Sequence, residues 1–412
     1  MPGEVPSGWR REPLASLGQF LKCQGGSKKD EVPTGVPVVR YGQLYTQYDT
    51  VIRDFYSFVS TERATDYTPL KHGDVLFAGS GETLEEIGKA AVFLGQGPAH
   101  GSGDLILLRP SPAVDPLFLG YGVNGGEANE QKMRLGQGSS VFHISADRLA
   151  GLRIGVPPLP EQKKIAAILS SVDEAIQATQ AVINQTRRVK EGLLQDLLTR
   201  GLPGHTRFKQ TGIGEIPEAW EVRRLGDVVE PLFDDCALEP DVAYFPAIVR
   251  RRHRGVDFPE SRLGAEILVK DQYRVHPGTV LFSKRQLVHG ATGLVGPTVP
   301  ATAIMSKEYY QLRGVRGLST QFLSYWTRTA AFQNIAERCT YGVDREKFVV
   351  NERWFFSSPT PVPPVDEQAA IVASLDGLDS VVSGNSDRLS ALQSVKYGLL
   401  QDLLTGRVRV SP

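Results

Sequence analysis

Gly192-Leu193-Leu194-Gln195-Asp196-Leu197-Leu198-Thr199 returns letter for letter, 206 residues on, as Gly398-Leu399-Leu400-Gln401-Asp402-Leu403-Leu404-Thr405. The match runs upstream without a gap, aligning Pro157-Pro158-Leu159-Pro160-Glu161-Gln162 with Pro363-Pro364-Val365-Asp366-Glu367-Gln368. Each copy carries an apolar seam that steps alternately by four and three residues. The first is Ile165, Leu169, Val172, Ile176, Thr179, Ile183, Thr186, Lys190, Leu193 and Leu197; the second is Ile371, Leu375, Leu378, Val382, Asn385, Leu389, Leu392, Lys396, Leu399 and Leu403. A seam of that period, sustained so long, predicts two coiled-coil helices. The Pro-Pro run stops whatever precedes each helix, and Glu-Gln falls in its first turn. Some 38 residues at about 1.5 Å each make a rod of roughly 55 Å. Two narrow seams in one chain most simply bury each other, and an antiparallel, pseudo-twofold arrangement returns the chain with least strain. The other reading packs each helix on its own domain. Thr179, Asn385, Lys190 and Lys396 are polar seam positions suited to fixing register.

Each helix follows a segment of about 155 residues with a different texture. Short β-branched and aromatic runs, broken by Gly and Pro, predict strands: Val36-Pro37-Val38-Val39, Asp74-Val75-Leu76-Phe77, Leu105-Ile106-Leu107-Leu108, Val280-Leu281-Phe282 and Tyr309-Tyr310-Gln311-Leu312. These segments repeat faintly as well. Pro6-x-x-Trp9 with Leu14 recurs as Pro217-x-x-Trp220 with Leu225, and Gly73-x-Val75-Leu76-Phe77 as Gly278-x-Val280-Leu281-Phe282. Phe118-Leu119-x-Tyr121 recurs as Phe322-Leu323-x-Tyr325, and Gly138 as Gly342. Framework positions match while the loops do not. The expected fold is mixed α/β (α+β): a globular domain over 1–156, a helix over 157–200, a second domain over 201–362, and a second helix with its tail over 363–412.

At 412 residues the chain is too long for one core. Its three cysteines, Cys23, Cys236 and Cys339, are odd in number and far apart, which suits reduced thiols in a cytoplasmic protein. Met1-Pro2-Gly3-Glu4 does not open a signal peptide, and no run approaches the roughly 20 apolar residues of a membrane span. Enzyme motifs fail in detail. Gly79–Lys89 has Thr83 where a phosphate loop needs Gly and Ala90 where it needs Ser or Thr, so it reads as a strand-to-strand loop. Lys163 after Glu161-Gln162 has no counterpart at Ala369, and the histidines show no metal-ligand spacing. No catalytic, cofactor-binding or metal residue is assigned.

The remaining groups suit nucleic acid. Arg250-Arg251-Arg252-His253-Arg254-Gly255 is the most pointed, with Lys284-Arg285-Gln286 and Arg345-Glu346-Lys347 in the same domain. Lys28-Lys29, Arg40-Tyr41-Gly42-Gln43 and Gly136-Gln137-Gly138 sit in the first domain. Arg, Lys and Gln bond guanine or adenine edges, and Arg and Lys also take phosphates. The candidates for DNA contact are Lys28, Arg40, Gln43 and Gln137 in the first domain, and Arg252, Arg254, Arg285 and Arg345 in the second. Lys plus Arg equal Asp plus Glu at 46 each, so phosphate affinity must be local or shared with partners.

The order Pro-Pro-Leu-Pro-Glu-Gln, long helix, Leu-Leu-Gln-Asp-Leu-Leu-Thr, then Thr211-Gly212-Ile213-Gly214-Glu215-Ile216-Pro217-Glu218-Ala219-Trp220, resembles the specificity subunits of Type I restriction-modification systems. Gly73-x-Val75-Leu76-Phe77 and Gly136-Gln137-Gly138-Ser139-Ser140 with His143-Ile144-Ser145 also look like that family's recognition domains. The resemblance covers essentially the whole chain. It implies two target-recognition domains, each reading half of a bipartite site in double-stranded DNA. It also implies two helices that act as a spacer and as a platform for two methyltransferase subunits, to which restriction and translocase subunits add. Leu169, Ile176, Ile183, Leu193, Leu197, Leu375, Val382, Leu389, Leu399 and Leu403 are the apolar positions assigned to those helices. S-adenosylmethionine, ATP and Mg would belong to the partners, leaving this subunit non-catalytic and without a cofactor. A methylation-only or phage-exclusion complex, or a coiled-coil scaffold that binds no DNA, are the alternative readings.

Overall fold

The computed structural model describes residues 5–138, 140–344, 346 and 348–411. The Pro-Pro runs precede two long helices, Leu159–Arg200 and Val365–Leu404. The chain divides into two compact units: Met1–Gln180 with Asp387–Pro412, and Ala181–Ser386. Each unit therefore holds one globular domain, the near part of one long helix and the far part of the other.

In the first unit, strands Gly18–Lys22, Leu105–Pro110, Val75–Ala78, Ala90–Phe93 and Val51–Ile52 form one sheet in that order. All neighbours are antiparallel except the last pair. Val75–Ala78 is buried throughout, which is why its sequence is a continuous apolar run with no alternation. The second unit repeats the framework as Val229–Pro231, Tyr309–Gly314, Val280–Ser283 and Thr292–Leu294. The second five-stranded sheet of each domain differs in strand order. Gly79–Lys89 joins Val75–Ala78 to Ala90–Phe93 as expected, but it also holds a short strand, Ser80–Gly81, paired with Phe142–His143.

Both domains begin and end on the same device. Arg10–Pro13 pairs antiparallel with Arg153–Val156, and Glu221–Arg224 pairs with Pro359–Val362. The chain leaves each ribbon directly into its long helix, where the repeated Glu-Gln clamps it. The buried Gln162 accepts from the Asp115 amide through Oε1 at 2.8 Å and donates to the Pro157 carbonyl through Nε2 at 2.8 Å. Gln368 accepts from the Ser319 amide and donates to the Pro363 carbonyl, both at 2.7 Å. Glu161 receives Trp9 Nε1 at 3.2 Å, and Glu367 receives Trp220 Nε1 at 2.9 Å. The matching cations differ. Arg409 grips Glu161 with two nitrogens at 2.8 and 2.9 Å and holds its carboxyl below the usual range. Glu367 instead meets His205 at 2.7 Å and the Leu202 amide at 3.0 Å.

The helices run antiparallel. In the first unit Ile165, Ala166 and Leu169 cluster with Leu403, and with Trp9, Phe118 and Tyr121 of the domain. In the second, Leu194, Leu197 and Leu198 cluster with Ile371, Val372 and Leu375 around Trp220 and Phe322. Two of the polar seam positions serve their own helices: Thr179 donates to the Ala175 carbonyl and Asn385 to the Val381 carbonyl. The two lysines reach across. Lys396 meets Asp173 at 2.7 Å, and also Asp49, while Tyr121 donates to the same Asp173 at 2.6 Å. Its repeat equivalent Lys190 pairs with Asp379, to which Tyr325 donates at 3.0 Å. Burial alone would lower the Lys396 ammonium, but the bonds to Asp173 and Asp49 outweigh it and raise its pKa. Each Tyr–Asp–Lys lock thus ties one domain to both helices.

Among the assigned seam positions, Leu169 and Leu375 are fully buried and Leu193 is 37% exposed. Its neighbour Leu194 takes the inward place because a 3.6-residue helix drifts off a 3.5-residue seam. Among the described residues no helix is long and apolar enough to cross a membrane.

Candidate nucleic-acid interface

Strands Ile248–Val249 and Val256–Asp257 form a hairpin whose tip is the basic run. The Arg250 amide donates to the Gly255 carbonyl at 2.9 Å, closing the loop. Arg252 and His253 stand at φ 58° and 53°, and Gly255 at 90°. Two consecutive non-glycine residues in the left-handed region cost about 1 kcal/mol or more each, so the surroundings must hold them there. The Arg252 amide donates to the His289 carbonyl and the His253 amide to the Gly290 carbonyl, both at 2.8 Å. The His253 ring lies against Gly290, where an added Cβ would come within 2.6 Å of Nε2. Its Nδ1 is 3.0 Å from Thr292 Oγ1, itself 2.9 Å from Thr327 Oγ1. Burial, with Arg328 adding like charge, pushes its pKa down to about 4. His253 is a neutral plug that seats the basic tip on the sheet.

The arginines around this plug are not equivalent. Arg251 gives both terminal nitrogens to Glu346, at 3.4 and 2.6 Å, and so joins the hairpin to the loop after Tyr341. Arg250 gives only Nε, to Asp257 at 2.7 Å, and Arg285 gives only Nε, to Glu308 at 2.7 Å. Arg254 donates weakly to the Arg251 carbonyl at 3.4 Å, and both Arg252 and Arg254 are exposed. Neither has a carboxylate partner among the described residues. Lys284 lies over the Tyr310 ring at 4.4 Å. Arg345 lies outside the described residues.

The first domain presents a different face. Gln137 is exposed and bridged through its backbone to His143, whose Nδ1 is 2.9 Å from Ser80 Oγ. Lys28 is exposed on a short turn capped by Ser27. Arg40 and Gln43 are braces: Gln43 accepts from the Arg40 amide at 2.9 Å and donates to Ser57 at 2.8 Å, which occupies both ends of its amide. Arg40 turns inward, its side chain 15% exposed, donating to the Ser27 carbonyl at 3.2 Å. The structure brings Lys28, Arg40 and Gln43 together around Ser27 and Ser57, and places Gln137 on the loop after the helix Gly126–Leu135. In the sequence, Arg250 and His253 stand only as part of the basic run, and Ser80 is not paired with His143. The hairpin turn at Gly255 was the available signal. Among the described residues no group of three or more His, Cys, Asp and Glu could hold a metal ion.

The two units are similar scaffolds with unlike polar faces, each locked to parts of both long helices. The family model for the Type I restriction modification DNA specificity domain matches residues 6–187. Two Methanocaldococcus jannaschii proteins are each 26% identical, one of them the type I restriction enzyme MjaVIII specificity subunit, aligned over 98% of this chain and 94% of its own. In fold, the chain is similar to a Type I restriction-modification S subunit from M. genitalium, with TM-score 0.61 and 15% identity over 98% of this chain and 97% of that one. A chain from a type I R-M system, described for its complex assembly and conformational transition, aligns with TM-score 0.54 and 18% identity over 99% and 100%. Residues 6–187 thus match a Type I restriction modification DNA specificity domain, and over nearly its whole length the chain is similar to Type I specificity subunits.

Proposed function

We propose that each globular domain reads one half of a bipartite double-stranded DNA target while the helices set the spacing between the halves. The observation that carries this reading is the contrast between shared and unshared parts. Clamp, lock and framework sheet repeat, but the second domain offers an arginine-rich face where the first offers Ser80, Gln137 and His143. Helices of 42 and 40 residues make rods of roughly 60 Å that span at most about 18 base pairs, compatible with two half-sites about one turn apart.

Chemistry then resides in partners: two methyltransferase subunits using S-adenosylmethionine, and restriction subunits using ATP and Mg. The target base has to leave the stack for methylation, so this subunit fixes the position and register of the duplex and holds no cofactor. Arg252 and Arg254, exposed and without carboxylate partners, suit phosphate contact. Adenine methylation is mapped genome-wide with and without the gene; a two-part motif should vanish with it, and an unchanged pattern in an expressing strain refutes the reading. Changing Arg252 and Arg254 together to Ala should abolish binding to the cognate site, as it weakens binding to every duplex, while leaving assembly intact.

A further inference from the structure

We infer that Arg250 and Arg285 each read a guanine in the half-site of the second domain, and that Asp257 and Glu308 are the positioning residues that aim them. This rests on that domain's contacting DNA, as proposed above. An arginine can neutralise a phosphate from almost any orientation, but guanine asks for two parallel donors aimed at O6 and N7. A long side chain free to choose among rotamers gives up most of that directionality. Arg250 and Arg285 are each held by one bond, from Nε, to Asp257 and to Glu308 at 2.7 Å. That bond fixes the plane of the guanidinium and leaves the outer pair, Nη1 and Nη2, without a partner among the described residues. Side-chain exposure of 43% and 58% keeps those outer nitrogens within reach of a ligand.

The neighbouring arginines differ on the same geometry. Arg251 gives both Nη atoms to Glu346, so its fork is used inside the protein. Arg252 has its backbone pinned and no carboxylate partner among the described residues, leaving an unaimed positive charge. The paired arginines are also nearly neutral as units, each charge cancelled by its tether. They gain little from phosphate attraction and counterion release, and keep the directional bonds that distinguish bases. The basic face thus divides into aimed, neutralised forks that select and free charges that hold.

The test uses the full chain assembled with its methyltransferase subunits. Competitor duplexes each carry one changed base pair of the mapped target, and binding is measured over a salt series. Arg250→Lys and Arg285→Lys keep the charge and lose the fork. Each should reduce discrimination at one G·C pair by about tenfold or more, leaving the salt slope unchanged. Arg252→Ala should weaken all duplexes alike and lower the slope by about 0.9. Asp257→Ala frees the Arg250 charge, so discrimination at the same pair should fall while the slope rises. Assembly with the methyltransferase subunits reports that each variant is folded. Full discrimination in both lysine variants, or a uniform loss with a lower slope, overturns the inference, as does a target half without any G·C pair. If Arg252→Ala weakens binding while the lysine variants discriminate normally, only this assignment fails. If no variant alters binding, the DNA-contacting role of the face fails with it.

Discussion

Replacing Lys396 with Met should open the first unit where its domain meets the helices. The Lys396 side chain is 17% exposed and that of Asp173 12%, so the pair sits largely out of water. Removing one partner of a buried pair typically costs about 3–5 kcal/mol, because the remaining charge is stranded. Here the low end applies. Tyr121 still donates to Asp173 at 2.6 Å, and Asp49, 62% exposed, returns to solvent at little cost. The expected loss is about 3 kcal/mol, or roughly a hundredfold faster amide exchange in residues around 173 and 396, where opening of this unit controls exchange. Exchange suits a chain of two units, for which one melting midpoint is not well defined. Adding Asp173→Asn to Lys396→Met removes the stranded charge and should recover much of the loss, a coupling of about 2 kcal/mol. Strictly additive effects, or a loss below about 1 kcal/mol for Lys396→Met alone, would refute the lock.

Glu367→Ala leaves Trp220 Nε1 and the Leu202 amide without an acceptor and should cost the second unit about 3 kcal/mol by the same exchange measurement. Gly290→Ala must hold alanine at φ 65° with its Cβ against the His253 ring. A loss of about 2 kcal/mol and weaker DNA binding are expected; wild-type values for both would show that the ring does not seat the hairpin. His253 titrates near 6.5 when unfolded and near 4 when folded, so unfolding takes up a proton. Stability should therefore be unaffected above about pH 6.5 and fall as pH drops toward 4, with a shallower fall in His253→Gln when acid unfolding of the two proteins is compared.

The helices were legible because a narrow seam of fixed period has few other uses. The strands were legible where burial on both faces makes an unbroken apolar run, as at Val75–Ala78. The locks were not, although their signal was present: Tyr121, Asp173 and Lys396 each have a like residue in the other repeat. A sequence cannot say that Lys396 faces Asp173 instead of its nearer twin's Asp379, because the choice depends on an antiparallel fold. Arg40 and Gln43 show a second use of residue types that suit DNA: three-residue spacing at a helix start is also capping geometry, and the Gln43 amide bonds the Arg40 backbone and Ser57 there. The division among the arginines depends on which nitrogen meets a carboxylate, and that is set by backbone placement alone.

Each lock is closed from the other repeat: Lys396 of the second helix completes the first unit, and Lys190 of the first helix completes the second. The Glu-Gln clamp and the Tyr–Asp–Lys lock are drawn from positions common to both copies, although the cations on the clamp glutamates differ. The exposed polar faces of the two domains are not so drawn. A substitution, insertion or wholesale exchange between the entry and exit ribbons of one domain leaves the sealing residues where they were. On the function proposed above, target preference is free to change in one domain at a time while the residues that seal that domain to the helices stay in place.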